Sequence, residues 1–222
     1  RADAVVFTGD LVNNTADEME PWMDAFRVIA EKTTDGVYSI LGNHDYGDYW
    51  QWPSEEAKRA NLDRLKATHA ALGWRLLLNE ALVLKRGTGQ LDLVGVENWG
   101  LPPFPQYGNL ERALEGLAPQ QPKILLSHDP SHFDAVVKKH PANIGLTLSG
   151  HTHGMQFGIE IPGWIQWSPV KWKYPKWAGI YRDNASGKAL YVNRGFGYLA
   201  FPGRVGIWPE ITVLELTAKP LS

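Results

Sequence analysis

The 222-residue chain contains no cysteine. That excludes a disulfide framework, thiol catalysis and cysteine-ligated zinc, but chooses no compartment, because a cysteine-free chain suits cytosol and cell envelope alike. Also missing is any apolar run of about eighteen residues, the length that marks a membrane-spanning helix. The best candidate, LLLNEALVL, is broken by Asn79 and Glu80, and no signal-peptide pattern is visible. Charge of one sign is scarce as well: the formal net charge is −2, which gives no general electrostatic case for binding nucleic acid. An initiator methionine is absent and the chain opens inside an apolar run, RADAVVFTGD, so the natural protein is expected to extend further N-terminally.

What is present suffices for a buried core. Hydrophobic content of 44% is ordinary for a globular protein. Strand-length apolar runs recur at 4–7, 37–41, 81–84, 91–96, 123–127 and 144–149. Between them, residues 17–32 place Trp22, Phe26 and Ile29 at helical spacing, and residues 54–72 have a Ser54 cap, acids in the first turn and Gly73 as a stop. Shorter helices are expected over 109–117 and 131–140. Near-continuous apolar strands alternating with helices predict an α/β fold whose sheets are covered on their outer faces. After residue 154 prolines, glycines and tryptophans dominate, followed by strand-like runs at 188–193 and 210–216. With no repeat and no linker, residues 1–222 read as one domain with an irregular part over 155–209.

Four short signals share one grammar, in which an apolar strand ends and a small residue leads into Asp, Asn or His. They are VVFTGD, ending at Asp10; SILGNHD, with Asn43, His44 and Asp45; ILLSHD, with His128 and Asp129; and LTLSGHTHG, with His151 and His153. Taken singly, TGD is most often a turn or helix cap, GNHD a polar turn, and SHDP a helix-start signal. Jointly they point elsewhere. Ligands in α/β sheets collect beyond the carboxyl ends of strands, so all four can converge on one crevice. Carboxylate, amide oxygen and imidazole together suit manganese, iron, zinc, nickel or cobalt, and suit calcium poorly. His69, His132 and His140 fit helix positions, His69 as a surface or half-buried residue, and none is a candidate ligand.

The order GD, GNHD, H, GHTH over residues 9–154 resembles the calcineurin-like metallophosphoesterases. The stretch GIYRDNASGKALYVNRGFGYLAFPGRVGIWPEITVLEL is similar to a bacterial, membrane-associated branch that includes enzymes resembling UDP-2,3-diacylglucosamine hydrolases. The resemblance implies two β-sheets, both mixed, packed face to face with flanking helices, a four-layer αββα sandwich. It also implies two divalent metal ions, manganese first. By position, Asp10 would bridge the ions, Asn43, His128 and His151 would complete the second, and His153 would bind the first. His44 would stand beside the phosphate as acid or charge stabiliser, with Asp45 orienting it by a hydrogen bond. A metal pair about 3.5–4 Å apart offsets phosphate charge and activates water to hydroxide near neutral pH. The family's Asp-x-His motif, due before GD, does not occur. A truncated chain is therefore expected, retaining at most one ion firmly and nearly inactive.

Residues 162–177, PGWIQWSPVKWKYPKW, hold four tryptophans and three lysines. They form either a loop that packs its rings on the domain or a membrane-facing surface through Trp164, Trp167, Trp172 and Trp177. Stacking on single-stranded bases is disfavoured by the near-neutral charge. The expected function is metal-dependent hydrolysis of a phosphodiester or pyrophosphate in a lipid-linked or nucleotide-linked substrate, at the cell envelope or a membrane surface. The alternatives are a phosphodiesterase for small soluble substrates, cytoplasmic in setting, or a catalytically disabled metal-binding or membrane-associating module.

Overall fold

The computed structural model describes residues 2–161 and 163–217. Three parallel strands, β1 (Val5–Phe7), β2 (Val37–Ser39) and β3 (Trp74–Leu76), form a small sheet in that order. A larger mixed sheet has the order β10-β11-β7-β6-β5-β4. Its centre is parallel: β5 (Gly89–Gly95), β6 (Lys123–Leu126), β7 (Ile144–Ser149) and β11 (Lys188–Val192). The antiparallel strands β4 (Glu80–Arg86) and β10 (Gly179–Asp183) lie at its two edges. A short hairpin, β8 (Ile159–Ile161) and β9 (Ile165–Trp167), stands apart.

Alternation along the strands builds the layers. Val6 and Tyr38 on the small sheet meet Leu93, Ile124, Leu126 and Leu148 on the large one in a core between the sheets. The opposite residues of the small sheet, Val5, Phe7, Val37 and Trp74, pack against α1 (Met23–Lys32) and α2 (Glu55–Ala71). On the far face of the large sheet, Val94, Leu125, Leu190 and Val192 pack against α3 (Leu110–Ala113) and α4 (Ser131–Ala135). The result is helix, sheet, sheet, helix, the four layers that the resemblance implies; the larger sheet is mixed and the smaller is parallel throughout.

Several expected elements differ. The helix over 17–32 breaks into a 3-10 turn at Ala16–Trp22 and α1, because Pro21 lacks the N–H a continuous helix needs. Helix 54–72 stands as α2, with Ser54 Oγ accepting the Ala57 N–H. The helices expected over 109–117 and 131–140 shrink to α3 and α4, the latter followed by a 3-10 turn at Val137–Lys139. The strand expected over 210–216 does not form: Ile211 and Val213 are exposed, and no strand pairs with them among the described residues. His69, expected at or near the surface, is fully buried and hydrogen-bonded to Ser39 Oγ at 2.9 Å.

Candidate metal centre

All four motifs end strands whose carboxyl ends face one crevice. Asp10 follows β1, Asn43 and His44 follow β2, His128 follows β6 and His151 follows β7. Two glycines bring the β1 and β2 ends together. A side chain on Gly9 would begin 2.5 Å from Gly42 N and 2.8 Å from His128 Nδ1; one on Gly42 would begin 2.3 Å from Asp10 Oδ1. Only hydrogen fits at either position, so the motif glycines are there for close approach of backbones to the ligating groups.

The donor atoms converge. Candidate ligand atoms of Asp10, His128 and His151 all lie within 4.8 Å of one another. His128 Nε2 is 3.0 Å from Asp10 Oδ2, 3.2 Å from Asn43 Oδ1 and 3.2 Å from His151 Nδ1, and His151 Nδ1 is 2.8 Å from Asn43 Oδ1. Each group spends its other polar atom elsewhere. His128 Nδ1 donates to the Thr8 carbonyl at 2.6 Å, and Asn43 Nδ2 donates to the Tyr49 hydroxyl at 2.9 Å. His151 Nε2 lies 2.8 Å from the Tyr174 hydroxyl, which in turn donates to Asp129 Oδ2 at 3.1 Å, so the imidazole is the donor of that pair. Asp10 Oδ1 accepts the His44 N–H at 2.9 Å.

With the protons so assigned, two imidazole nitrogens, an amide oxygen and a carboxylate oxygen point lone pairs at one another. Asp10 Oδ2 is buried and makes no hydrogen bond despite its 3.0 Å approach to His128. Such an arrangement repels itself unless a cation sits among the atoms, and a borderline N/O donor set suits a first-row divalent ion. The residues fit the metal that the motifs imply.

Electrostatics agree. Burial opposes charge on both Asp10 and His128, but their mutual attraction prevails. It holds Asp10 well below the usual carboxylate range and pushes His128 up to about 9. Without a metal, a proton on His128 relieves the facing lone pairs at neutral pH, and a divalent ion bound there would displace that proton. Burial drives His151 and His153 down to about 4, so both are neutral at pH 7, the form that ligates metal.

His153 stands outside the converging set. Its Nδ1 is buried without a hydrogen-bond partner, and its carbonyl accepts from Arg204 Nη1 at 3.1 Å. His44 lies beside the centre, its Nδ1 2.8 Å from the Asn13 carbonyl and its ring against Tyr49. The expected Asp45–His44 hydrogen bond is replaced by another arrangement. Asp45 accepts the N–H groups of Asp10, Leu11, Val12 and Gly42 at 2.8 to 3.3 Å, tying the β1 loop to the β2 loop. Burial and Asp10 push its pKa up to about 7, against the pull of the Gly42 and Val12 amides. His132 and His140 remain helix-end residues, bonded to Ser127 and Glu111.

Of the four tryptophans read as either packed on the domain or facing a membrane, Trp164 and Trp172 are 81% and 77% exposed and Trp167 is half-buried against Trp172. Trp177 departs from the membrane-facing alternative and follows the packed one. At 5% exposure it belongs to a small core with Tyr174, Ala178 and Ile207, because the chain folds back over Gly154 there. Tyr174 and Asp129, which support His151, stand outside the expected site residues, although Asp129 belongs to the third motif. Tyr174 carries no local pattern linking it to His151, and Asp129 reads as the helix-start signal it also is, accepting Ser131 N–H at 2.8 Å.

Residues 1–155 match the family model described as calcineurin-like phosphoesterase. The chain is 30% identical over 218 residues to an uncharacterized metallophosphoesterase, YkuE, of Bacillus subtilis, with 97% of this chain and 68% of that protein covered. It is 30% identical over 230 residues to a bovine transmembrane protein with metallophosphoesterase domain, covering 98% of this chain and 46% of that one. A phosphodiesterase of Escherichia coli, YaeI, is 32% identical over 185 residues, covering 81% of this chain and 58% of that one. The chain thus spans about half to two thirds of the length of these relatives. Among solved structures, a 5'-nucleotidase precursor from Thermus thermophilus shares the fold at a TM-score of 0.50 and 13% identity, over 86% of this chain and 39% of that one. With four strand-end motifs meeting in one cation-seeking crevice and a family model covering most of the sequence, this chain belongs to the calcineurin-like phosphoesterase family.

Proposed function

We propose that this chain hydrolyses a phosphodiester or pyrophosphate bond. Asp10, Asn43, His128 and His151 hold one divalent ion, and Asp10 with His153 forms part of a second position. The observation that carries this reading is the cluster of mutually facing lone pairs whose remaining polar atoms are all committed elsewhere. Divalent ions there supply charge neutralisation for the phosphoryl group and an activated water. Manganese is the first choice, with zinc, iron, nickel and cobalt served by the same donors. The protein's own part is orientation and proton handling. Asp45 fixes the loop that carries Asp10, while Tyr174 and the Thr8 carbonyl fix the two rings. His44, anchored through Nδ1, keeps Nε2 as the atom that protonates the departing oxygen.

A lipid-linked or nucleotide-linked substrate at a membrane surface is supported by exposed aromatics beside the centre. The hairpin β8–β9 joins the 197–208 segment through the Phe157–Val205 bridge, and Arg204 ties that segment to the His153 carbonyl. Trp164, Trp172, Phe201 and Trp208 are all exposed on these two pieces and the turn that follows the hairpin. No helix of the described residues is long and apolar enough to cross a membrane.

The test is elemental analysis of the purified chain, then a screen of phosphomonoesters and diesters with and without added manganese. Retained transition metal that is lost in His128→Ala, together with manganese-dependent diester cleavage, is the expected result. Metal retention without cleavage assigns a disabled binding module instead, and no retention and no cleavage removes the proposal altogether. Equal rates on lipid-linked and soluble diesters would assign small soluble substrates.

A further inference from the structure

A cleft of about 280 Å³ opens next to the metal centre, between Leu101, the start of α4 and the segment Lys173–Lys176. Tyr174, one of its walls, is the residue whose hydroxyl meets His151 Nε2 at 2.8 Å. Phe104 packs edge-on against His151 with ring centres 4.9 Å apart, and Lys173 Nζ stands 4.5 Å from the Phe104 ring centre and 5.8 Å from that of Tyr174. Lys173 is therefore two ring contacts from the ligand cluster, held in place by cation–π attraction.

The charge balance of this cleft is positive. Asp134 is shared between Lys176 Nζ at 2.5 Å and Lys138 Nζ at 2.9 Å, while Lys173 has no ion pair among the described residues. Asp183 also interacts with Lys138 and Lys176, so those two ammonium groups face two carboxylates, and Lys173 is the charge of the lining left without a counter-ion among the described residues. A further acid, Asp129, is buried, with Oδ1 accepting the Ser131 N–H and Oδ2 the Tyr174 hydroxyl. Leu101, Pro130, Ala135 and Pro175 supply apolar walls, and the hydroxyl of Ser131 is occupied in accepting the Leu101 N–H at 3.1 Å.

We infer that this cleft receives a second anionic group of the substrate, carried on an apolar or aromatic moiety and distinct from the phosphoryl group at the metal centre, with Lys173 as its counter-ion. The inference rests on the phosphoester reading above and narrows it, because a simple diester with neutral arms leaves the cleft unused. A carboxylate and a second phosphate satisfy the same chemistry.

Calorimetric titration of the full chain, with manganese supplied, compares three ligands: phenyl phosphate, 4-carboxyphenyl phosphate and 4-(phosphonomethyl)phenyl phosphate. Wild type is expected to bind at least one of the doubly anionic ligands roughly tenfold more tightly than phenyl phosphate. That preference should vanish in Lys173→Gln and invert in Lys173→Glu, and the tighter of the two ligands identifies the preferred anion. The same preference in all three proteins, or none in wild type, overturns the inference. Cleavage of bis(p-nitrophenyl) phosphate is followed separately. Its absence defeats the hydrolase reading without touching the binding result, and its presence beside an indifferent Lys173 defeats only the cleft.

Discussion

Asp10, His151 and His153 adopt backbone φ values of 56°, 70° and 50°, in the left-handed region that non-glycine residues seldom occupy. Strain of about 1–3 kcal/mol at each such position persists only where surroundings fix the chain. Here the surroundings are visible: Asp45 gathers four backbone N–H groups, and Gly9 meets Gly42 with no room for a methyl. The side chains that face the centre could be read from the sequence, because ligation needs particular atoms and the motifs display them. Their supports could not, since the Thr8 and Asn13 carbonyls belong to every residue type alike, and Tyr174 arrives from a distant loop. His44 is the sharpest residue-scale test. Its ring is held by Asn13 and lies outside the converging donors, so His44→Ala should retain its metal while kcat falls by roughly 10²–10⁴. Loss of metal in that variant, seen by elemental analysis, would make His44 a ligand and refute its role as acid.

Two buried histidines pin helices to strand ends: His69 of α2 to Ser39 of β2, and His132 of α4 to Ser127 just after β6. Burial drives both down to about 4, with Asp129 opposing it at His132. A histidine whose folded pKa lies below its unfolded value of about 6.5 binds fewer protons folded than unfolded in the interval between. Its contribution is therefore intact above about pH 6.5 and is lost as the pH falls toward 4, by about 3 kcal/mol at most for each residue. Urea midpoints of the metal-free protein should drop over that interval, and His69→Gln should flatten the drop relative to wild type. Parallel curves for the two proteins would refute the assignment. At this scale the sequence displayed the strands that are apolar on both faces, such as β6 and β7, since they need no partner pattern to be noticed. It hid β10, an edge strand with alternating half-exposed residues, and suggested a strand over 210–216, where alternation is present but no neighbouring strand is. Pairing is a property of the sheet and is not written in either segment.

For the whole molecule, the two sheets aim their strand ends at one crevice, and the chain after β7 builds the ground around it. Arg194 binds Glu160 and Glu210 at 2.5 and 2.7 Å, joining the hairpin to the segment after β11. Gln156, two residues beyond Gly154, donates to the Phe201 and Gly203 carbonyls. These buried polar ties hold a surface whose outward side chains are aromatic, an arrangement that wastes apolar area unless something apolar covers it. Lys171 adjoins Trp172, so an anionic bilayer satisfies both kinds of group. Co-sedimentation with phosphatidylglycerol vesicles should weaken about tenfold or more in Trp164→Ser/Trp172→Ser and should weaken further at high salt, which screens Lys171. Trp177→Ser supplies the contrast. It removes a core ring rather than a surface one, so its expected effect is a lower melting temperature in vesicle-free solution. Unchanged partitioning of the double variant would leave the exposed rings without a membrane role and turn attention to a soluble substrate, since the metal centre and its cleft make no demand on the hairpin.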